Sequence, residues 1–380
     1  MSYPLVCLGD IAEFINGVAF KPEDWGTEGK PIIRIQNLNN PTKEYNYTKR
    51  EVRGTNIARR GDLLVSWSAS LGVYEWNGQD ACINQHIFKV VPNEKIDKDY
   101  LKRALELSIV EMESQVHGAT MKHITRGKFL GNKIPLPPIE EQRRIASILD
   151  KAEELRQKRQ QAIEKLDQLL QATFIDMFGD PVNNPKGWNK VRFEEAVEFL
   201  TGFAFKSADF KESGIKLCRG INVLPNTLDW DDTAYWDIVD VEKYSRFKIQ
   251  RNDILVAMDR PWISTGFKIA LVQRNDPNML LVQRVARLRV KEDFGANFLF
   301  QILSSSEFKK HCRITETTVP HISPTDFKSF ELIKPDNYLI EKFEKIAKLI
   351  HSQKAKMCNL SSEHKNLFDS LQNQAFSGNL

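Results

Sequence analysis

Residues 14–21 read FINGVAFK and residues 199–206 read FLTGFAFK, identical at five of eight positions. Further pairs follow in the same order. GKPIIRIQN at 29–37 faces GIKLCRGIN at 214–222, which aligns Arg34 with Arg219 and Asn37 with Asn222. RRGDLLVS at 59–66 faces QRNDILVA at 250–257, and TMKHIT at 120–125 faces TVPHIS at 318–323. IPLPPIEEQRRIASIL at 134–149 faces LIKPDNYLIEKFEKIAKLI at 332–350. The offset starts at 185 and drifts upward, so insertions fall between the blocks, as loops do. A period near 190 residues is several times longer than a solenoid repeat of about 20–45 residues. The repeated unit is therefore a domain.

Each half has one internal plan. A globular stretch comes first, with strand-like runs at Pro31–Ile35, Asp62–Ser66 and Ile87–Val91, and again at Asp253–Ala257, Phe267–Val272 and Val285–Val290. Gly, Asn and Pro punctuate these runs. One long helix follows. Pro137 and Pro138 open the first, with Glu140 and Glu141 in its first turn, and no Pro or Gly interrupts Glu140–Phe174. Ile145, Ile148, Ala152, Leu155, Ala162, Leu166 and Leu169 recur at the three–four spacing of a coiled-coil seam. The second helix follows Pro335, with a seam at Phe343, Ile346, Ile350, Met357, Leu360, Leu367 and Leu371. A helix of about 35 residues is roughly 50 Å long, whereas a domain of about 140 residues is only about 30 Å across. Such helices project, and each is the natural partner of the other's seam. Two like halves packing head to tail make the pairing antiparallel. The expected fold is mixed α+β: two globular domains separated by two long antiparallel coiled-coil helices, related by a pseudo-twofold repeat. The expected boundaries are 1–137, 138–179, 180–334 and 335–380.

Composition narrows the function. The chain has 380 residues, is 41% hydrophobic and 27% charged, and carries 54 − 50 = +4 net charge. It holds no apolar run of the roughly 18 residues a membrane span needs and no secretory leader pattern. Five scattered cysteines without a C-x-x-C pair fit a reducing cytoplasm and no structural zinc. No P-loop, dinucleotide fingerprint, nucleophile elbow or histidine metal motif is present. The Pro137-Pro138 pair lacks the acidic or amide residue of a methyltransferase loop. No catalytic residue, metal or cofactor is expected.

Binding chemistry remains. Ser66, Trp67 and Ser68 follow one strand-like run, and Asp259, Arg260 and Trp262 follow its repeat. Each Trp is either a lid on the core or part of a recognition surface. Arg and Asn read guanine and adenine bidentately, and Arg34, Asn37, Arg219 and Asn222 hold matching places. The alternative is that they pin a β-turn. Thr120, Lys122 and His123, matched by Thr318 and His321, suit phosphate or base-edge contacts. The alternative there is a helix cap at Thr125 or Ser323. Lys21 and Lys206 close the two copies of the opening motif and complete the DNA-binding candidates. On the first long helix, Arg156, Lys158, Gln161 and Lys165 lie off the seam, available to partners.

The chain resembles the specificity subunit of type I restriction-modification enzymes. The resemblance rests on Ile134-Pro-Leu-Pro-Pro138, Glu141-Gln142 with Ile145, Gly17 with Phe20-Lys21, Asp62-Leu-Leu-Val65, Asn84-Gln85, His123-Ile124 and Gln374-Ala-Phe-Ser-Gly378. The second copy departs from the pattern, with Pro335-Asp-Asn-Tyr-Leu in place of the Pro-Pro-x-x-Glu-Gln block. The resemblance implies that each globular half is a target recognition domain reading one half of a bipartite double-stranded DNA site. It implies that the helices set the unread spacer and dock two methyltransferase subunits, with restriction/translocase subunits joining the full complex. Methyl transfer and cleavage then belong to other subunits. By segment the charge is +2 (1–137), −1 (138–179), +2 (180–334) and +1 (335–380), so tight binding relies on partners that embrace the duplex. The rivals are a subunit of a fused methyltransferase–nuclease (type IIB/IIG-like) complex and a coiled-coil adaptor with no DNA role.

Overall fold

The computed structural model describes residues 3–68, 70–115, 125–273, 276–291, 294–312 and 320–380. The chain forms two compact units, Met1–Gln160 with Asn359–Leu380, and Gln161–Cys358. The duplication holds in the main sheet, the parallel pair and the ribbon of each unit. In the first unit an antiparallel sheet runs in the order Ala12–Asn16, Ile87–Pro92, Leu63–Ser66, Gly72–Glu75. In the second the order is Val197–Thr201, Val285–Val290, Ile254–Ala257, Ile269–Leu271. A smaller sheet in each unit contains one parallel pair, Lys30–Ile33 with Ala81–Ile83 and Ile215–Cys218 with Met279–Leu281. A two-stranded ribbon then leads into each long helix: Leu5–Cys7 with Lys133–Pro135, and Asn189–Arg192 with Glu331–Lys334.

The opening motif has a steric cause. Gly17 sits where the chain crosses the Ile83–Asn84 backbone, and Gly202 crosses at Leu281–Val282. A Cβ on either glycine would collide with those carbonyls, so both copies keep Gly. The flanking phenylalanines bury: Phe14 beside Phe88 and Phe129, and Phe20 against Ile32 and Cys82. Lys21 and Lys206 remain exposed, each immediately before a short 3-10 turn, Pro22–Asp24 and Ser207–Asp209.

The long helices span Ile139–Phe178 and Asn337–Ser377, and a left-handed glycine follows each, Gly179 and Gly378, both at φ +78°. In the first unit Ile145, Ala146 and Leu149 pack with Ala375 and Phe376. In the second unit Leu170, Phe174 and Phe178 pack with Phe343, Ala347 and Ile350. The two helices thus run antiparallel within each unit. The phenylalanine cluster of the second unit is dense, with Phe343 5.7 Å from Phe174 and 5.6 Å from Phe178.

The buried stripe corrects the expected seam. On the first helix Ile145, Leu149, Ile163 and Leu170 are buried, while Leu155 and Leu169 are 56% and 52% exposed. Ile145 belongs to both readings and Ala152 and Leu166 are half-buried, whereas Leu149 and Leu170 lie one step later than expected. Steps of three and of four both return to one helix face, so apolar residues at both positions left the sequence ambiguous. Tertiary contact chose Leu149 over Ile148 and Leu170 over Leu169. On the second helix Phe343 and Ile350 are buried as expected, but Leu367 is 53% exposed and the end packs through Ala375 and Phe376. Among the described residues no helix is long and apolar enough to cross a membrane.

Candidate nucleic-acid interface

Two of the matched candidate pairs serve the fold. Asn37 is buried, its Oδ1 accepts from Arg34 N–H at 3.1 Å, and its Nδ2 donates to the carbonyls of Lys43 and Glu44 at 3.2 Å each. Asn222 repeats this, accepting from Arg219 N–H at 3.0 Å and donating to the carbonyls of Asp229 and Asp232 at 3.0 and 2.8 Å. With their amide edges occupied, both asparagines hold a turn and present nothing to a base. The arginines lean on local partners too. Arg34 lies 5.2 Å over the Trp25 ring and donates to Asn46 Oδ1 at 3.2 Å. Arg219 pairs with Asp232 at 2.8 Å.

The first unit's loop after Leu63–Ser66 divides into a packed floor and a polar rim. Ser66 is fully buried and donates to the Ser70 carbonyl at 2.6 Å. Trp67 stacks on Phe88 at 5.5 Å and 23°, with His86 edge-on at 5.5 Å, so it serves as a lid on the core. At the rim, Asn39 Nδ2 donates to Ser70 Oγ at 3.1 Å, Tyr74 OH donates to Asn39 Oδ1 at 2.6 Å, and Gln85 Nε2 lies 3.2 Å from His86 Nε2. Ser68 is half-buried beside them. The rim is made of hydroxyls, amides and one imidazole.

The second unit places different chemistry on the same frame. The loop after Ile254–Ala257 carries Asp259, half-buried, and Arg260, exposed. Asp259 bridges to the His321 backbone, and Arg260 N–H donates to the Pro320 carbonyl at 2.9 Å. Arg284 Nε lies 3.6 Å from Asp259 Oδ2. Lys268 is buried beside this group and held below its ordinary pKa, first by desolvation and then by the Arg260 charge. Trp262 stacks on Phe267 at 4.6 Å and 14°, with the Lys309 ammonium 5.7 Å from its ring, so it too packs inward. Five non-glycine residues among those described have left-handed φ: Asn184, Asn226, Asn252, Arg260 (+45°) and Arg284 (+67°). Asparagine tolerates that region. For a side chain such as Arg the cost is about 1–2 kcal/mol.

The matched backbone bonds fix the register between the units. Trp67 N–H donates to the His86 carbonyl at 3.3 Å, and Met258 N–H donates to the Arg284 carbonyl at 2.8 Å. Ser68 therefore corresponds to Asp259 and His86 to Arg284. Sequence reading used Gln85 only for the family resemblance and did not name His86, Lys268 or Arg284. The signal was available in the NQH and VQR triplets at 84–86 and 282–284, which precede equivalent strands. Thr120, Lys122, His123 and Thr318 lie outside the described residues. Their flanks give the capping alternative physical form: Thr125 Oγ1 accepts from Lys128 N–H at 3.5 Å and Ser323 Oγ from Asp326 N–H at 3.3 Å.

On the first long helix, exposed Arg156 pairs with half-buried Glu153 at 2.7 Å, and Lys158 pairs with Glu154 at 2.5 Å, both exposed. Gln161 and Lys165 are exposed as well. Surface pairs of this kind contribute about 0–1 kcal/mol, so a partner could exchange them at low cost.

Residues 3–165 and 185–359 match the family model described as type I restriction modification DNA specificity domain. The type I restriction enzyme MjaVIII specificity subunit of Methanocaldococcus jannaschii is 29% identical over 328 residues, covering 81% of this chain and 76% of that protein. The EcoAI specificity subunit of Escherichia coli is 32% identical over 128 residues, covering 34% of this chain and 22% of that protein. The crystal structure of a type I restriction-modification S subunit from M. genitalium aligns with a TM-score of 0.58 at 14% identity, over 99% of this chain and 96% of that one. At that identity the agreement is one of fold.

Proposed function

This chain belongs to the type I restriction-modification DNA specificity family, and from that premise we propose how it divides the reading of DNA. Each unit reads one half of a bipartite double-stranded site, with recognition domains at 1–137 and 180–334 and spacer helices at 138–179 and 335–380. The observation that carries this is the pair of rims. One duplicated scaffold holds Ser68, Gln85 and His86 in one copy and Asp259, Gln283 and Arg284 in the other. The strand frame beneath the two rims is shared, while the polar side chains set on it differ in charge and in hydrogen-bonding groups. Different polar edges on one frame are what two different half-sites require. Lys21 and Lys206, exposed at matching places, suit backbone phosphates.

Two methyltransferase subunits dock on the helices around Arg156, Lys158, Gln161 and Lys165, and restriction subunits join in the full assembly, in the cytoplasm. Chemistry resides in those partners. Methylation mapping of cells expressing this chain with its methyltransferase partner should yield one bipartite motif, and exchange of residues 1–137 for a relative's domain should alter one half only. A change in both halves, or methylation without a motif, would overturn the reading. Four residues inserted near Gln160 lengthen the helix by roughly 6 Å at 1.5 Å per residue. The unread spacer should then grow by about one or two base pairs at 3.4 Å each. An unchanged spacer in an active complex would remove the ruler role.

A further inference from the structure

We propose that the second unit selects guanine, and that Arg284 and Arg260 are the residues that read it. The inference rests on the reading above, that this unit faces DNA, and adds which base chemistry it takes. Arg260 and Arg284 are the two residues among those described that carry a long side chain on a left-handed backbone; the other three are asparagines. Asparagine fills such a position at lower cost, as Asn252 does in the preceding turn. Arginine standing there twice, within one small site, points to a task for the side chain.

The surroundings aim both groups. Arg260 is anchored through its N–H to the Pro320 carbonyl at 2.9 Å, and Arg284 through its carbonyl to Met258 N–H at 2.8 Å. Their Cα atoms are thereby fixed on two different loops. Asp259, the chain neighbour of Arg260, has its carboxylate 3.6 Å from Arg284 Nε, while the Arg284 side chain remains 66% exposed. A carboxylate on the Nε edge leaves the two terminal nitrogens of an exposed guanidinium available as paired donors. Guanine presents two acceptors, O6 and N7, on its major-groove edge, whereas adenine presents one acceptor and one donor. A donor-only fork therefore prefers guanine. The matching first-unit residues, Ala69 and His86, have no fork, so this preference belongs to one half-site.

Methylation mapping with the full chain and its methyltransferase partner tests the assignment. The second half-site, defined as the half that moves when residues 180–334 are exchanged, should contain a G·C pair at a fixed position. Arg284→Gly and Arg260→Gly relieve the left-handed backbone, so folding should be retained and a thermal melt will check it. In at least one of them the preference for guanine at that position should fall about 10- to 100-fold, with the first half-site unchanged. Arg284→Lys, which keeps charge but loses the fork, should relax the same position. A second half-site without G·C, or full guanine discrimination in all three variants, overturns the proposal and leaves the bipartite reading standing. Methylation with no bipartite motif in the wild type overturns both.

Discussion

The two units solve one packing problem with different residues. In the first, buried Gln142 on the long helix accepts from Asp97 N–H at 2.7 Å and donates to the carbonyls of Lys95 and Pro137 at 3.0 and 2.8 Å. It closes the loop that opens helix Lys98–Gln115. In the second, the residue at the matching helix position is Ile340, and Glu344, one turn later, takes over. It accepts from Phe298 N–H at 3.0 Å and Asn297 Nδ2 at 2.7 Å, at the start of helix Ala296–Leu303. Both satisfy polar groups at a helix opening that burial would otherwise leave unpaired. The lesson is that duplication preserved the requirement and freed the residue. The rims show the same freedom at the surface, with Ser68 and His86 in one unit and Asp259 and Arg284 in the other.

The comparison can be broken first at the helix contacts. Ile145 and Phe343 occupy matching, fully buried positions. Phe343→Ala removes a ring that touches Phe174 and Phe178 and should cost the second unit about 4 kcal/mol, against about 3 kcal/mol for Ile145→Ala in the first. Urea melts followed by a probe in each unit measure both. A loss confined to neither unit would mean that the long helices are not shared parts of two cores. Next come the anchors. Gln142→Ala strands one buried N–H and two carbonyls and should cost about 2–3 kcal/mol, while Glu344→Gln keeps an acceptor and should cost about 1 kcal/mol. The reverse order in a thermal melt would show that the two anchors are not equivalent.

The turn asparagines follow. Asn37→Ala and Asn222→Ala should each destabilise by about 1–2 kcal/mol and leave the methylated motif unaltered. A changed half-site with an unchanged melting temperature would return them to base readers. The smallest effect is one of pH, and it separates the units. His351 donates to Asn297 Oδ1 at 2.8 Å and is held below its ordinary pKa, first by burial and then by Lys354, against the opposing pull of Asp167 and Glu344. The folded state therefore binds a proton less readily than the unfolded state. His351 contributes stability above its ordinary pKa of about 6.5, and that contribution is lost as pH falls through the folded value. The second unit should melt earlier at pH 5 than at pH 7.5, and His351→Gln should flatten the difference. An unchanged slope would place the pH dependence elsewhere.

Much of the fold was legible because its signals are local. Pro137 and Pro138 before the first long helix, and Gly179 and Gly378 after the two helices, fix their ends through backbone chemistry that acts within a few residues. Gly17 and Gly202 marked the repeat because a close backbone crossing excludes every side chain. The sites were less legible. Asn37, Asn222, Ser66 and Trp67 are polar or aromatic residues in loops, the usual marks of a binding surface, and yet burial gives each a structural task. Arg284 carries no mark in the sequence, since nothing local announces its left-handed backbone or the carboxylate across from it.

By itself, then, the sequence determined the duplication, the order of elements, the two long helices and the family to which the chain belongs. Each of these is written in neighbouring residues or in direct self-similarity. Only the tertiary structure decided which stripe of each helix is buried, that Leu149 and Leu170 rather than Ile148 and Leu169 meet the partner helix, and which loop residues face outward. The physical reason is that helical periodicity defines a face only to within one residue, and a loop side chain has no period at all. Their direction is set by contacts between segments distant in sequence, such as Asp259 with Arg284 and Gln142 with Asp97, which no single stretch of the chain encodes.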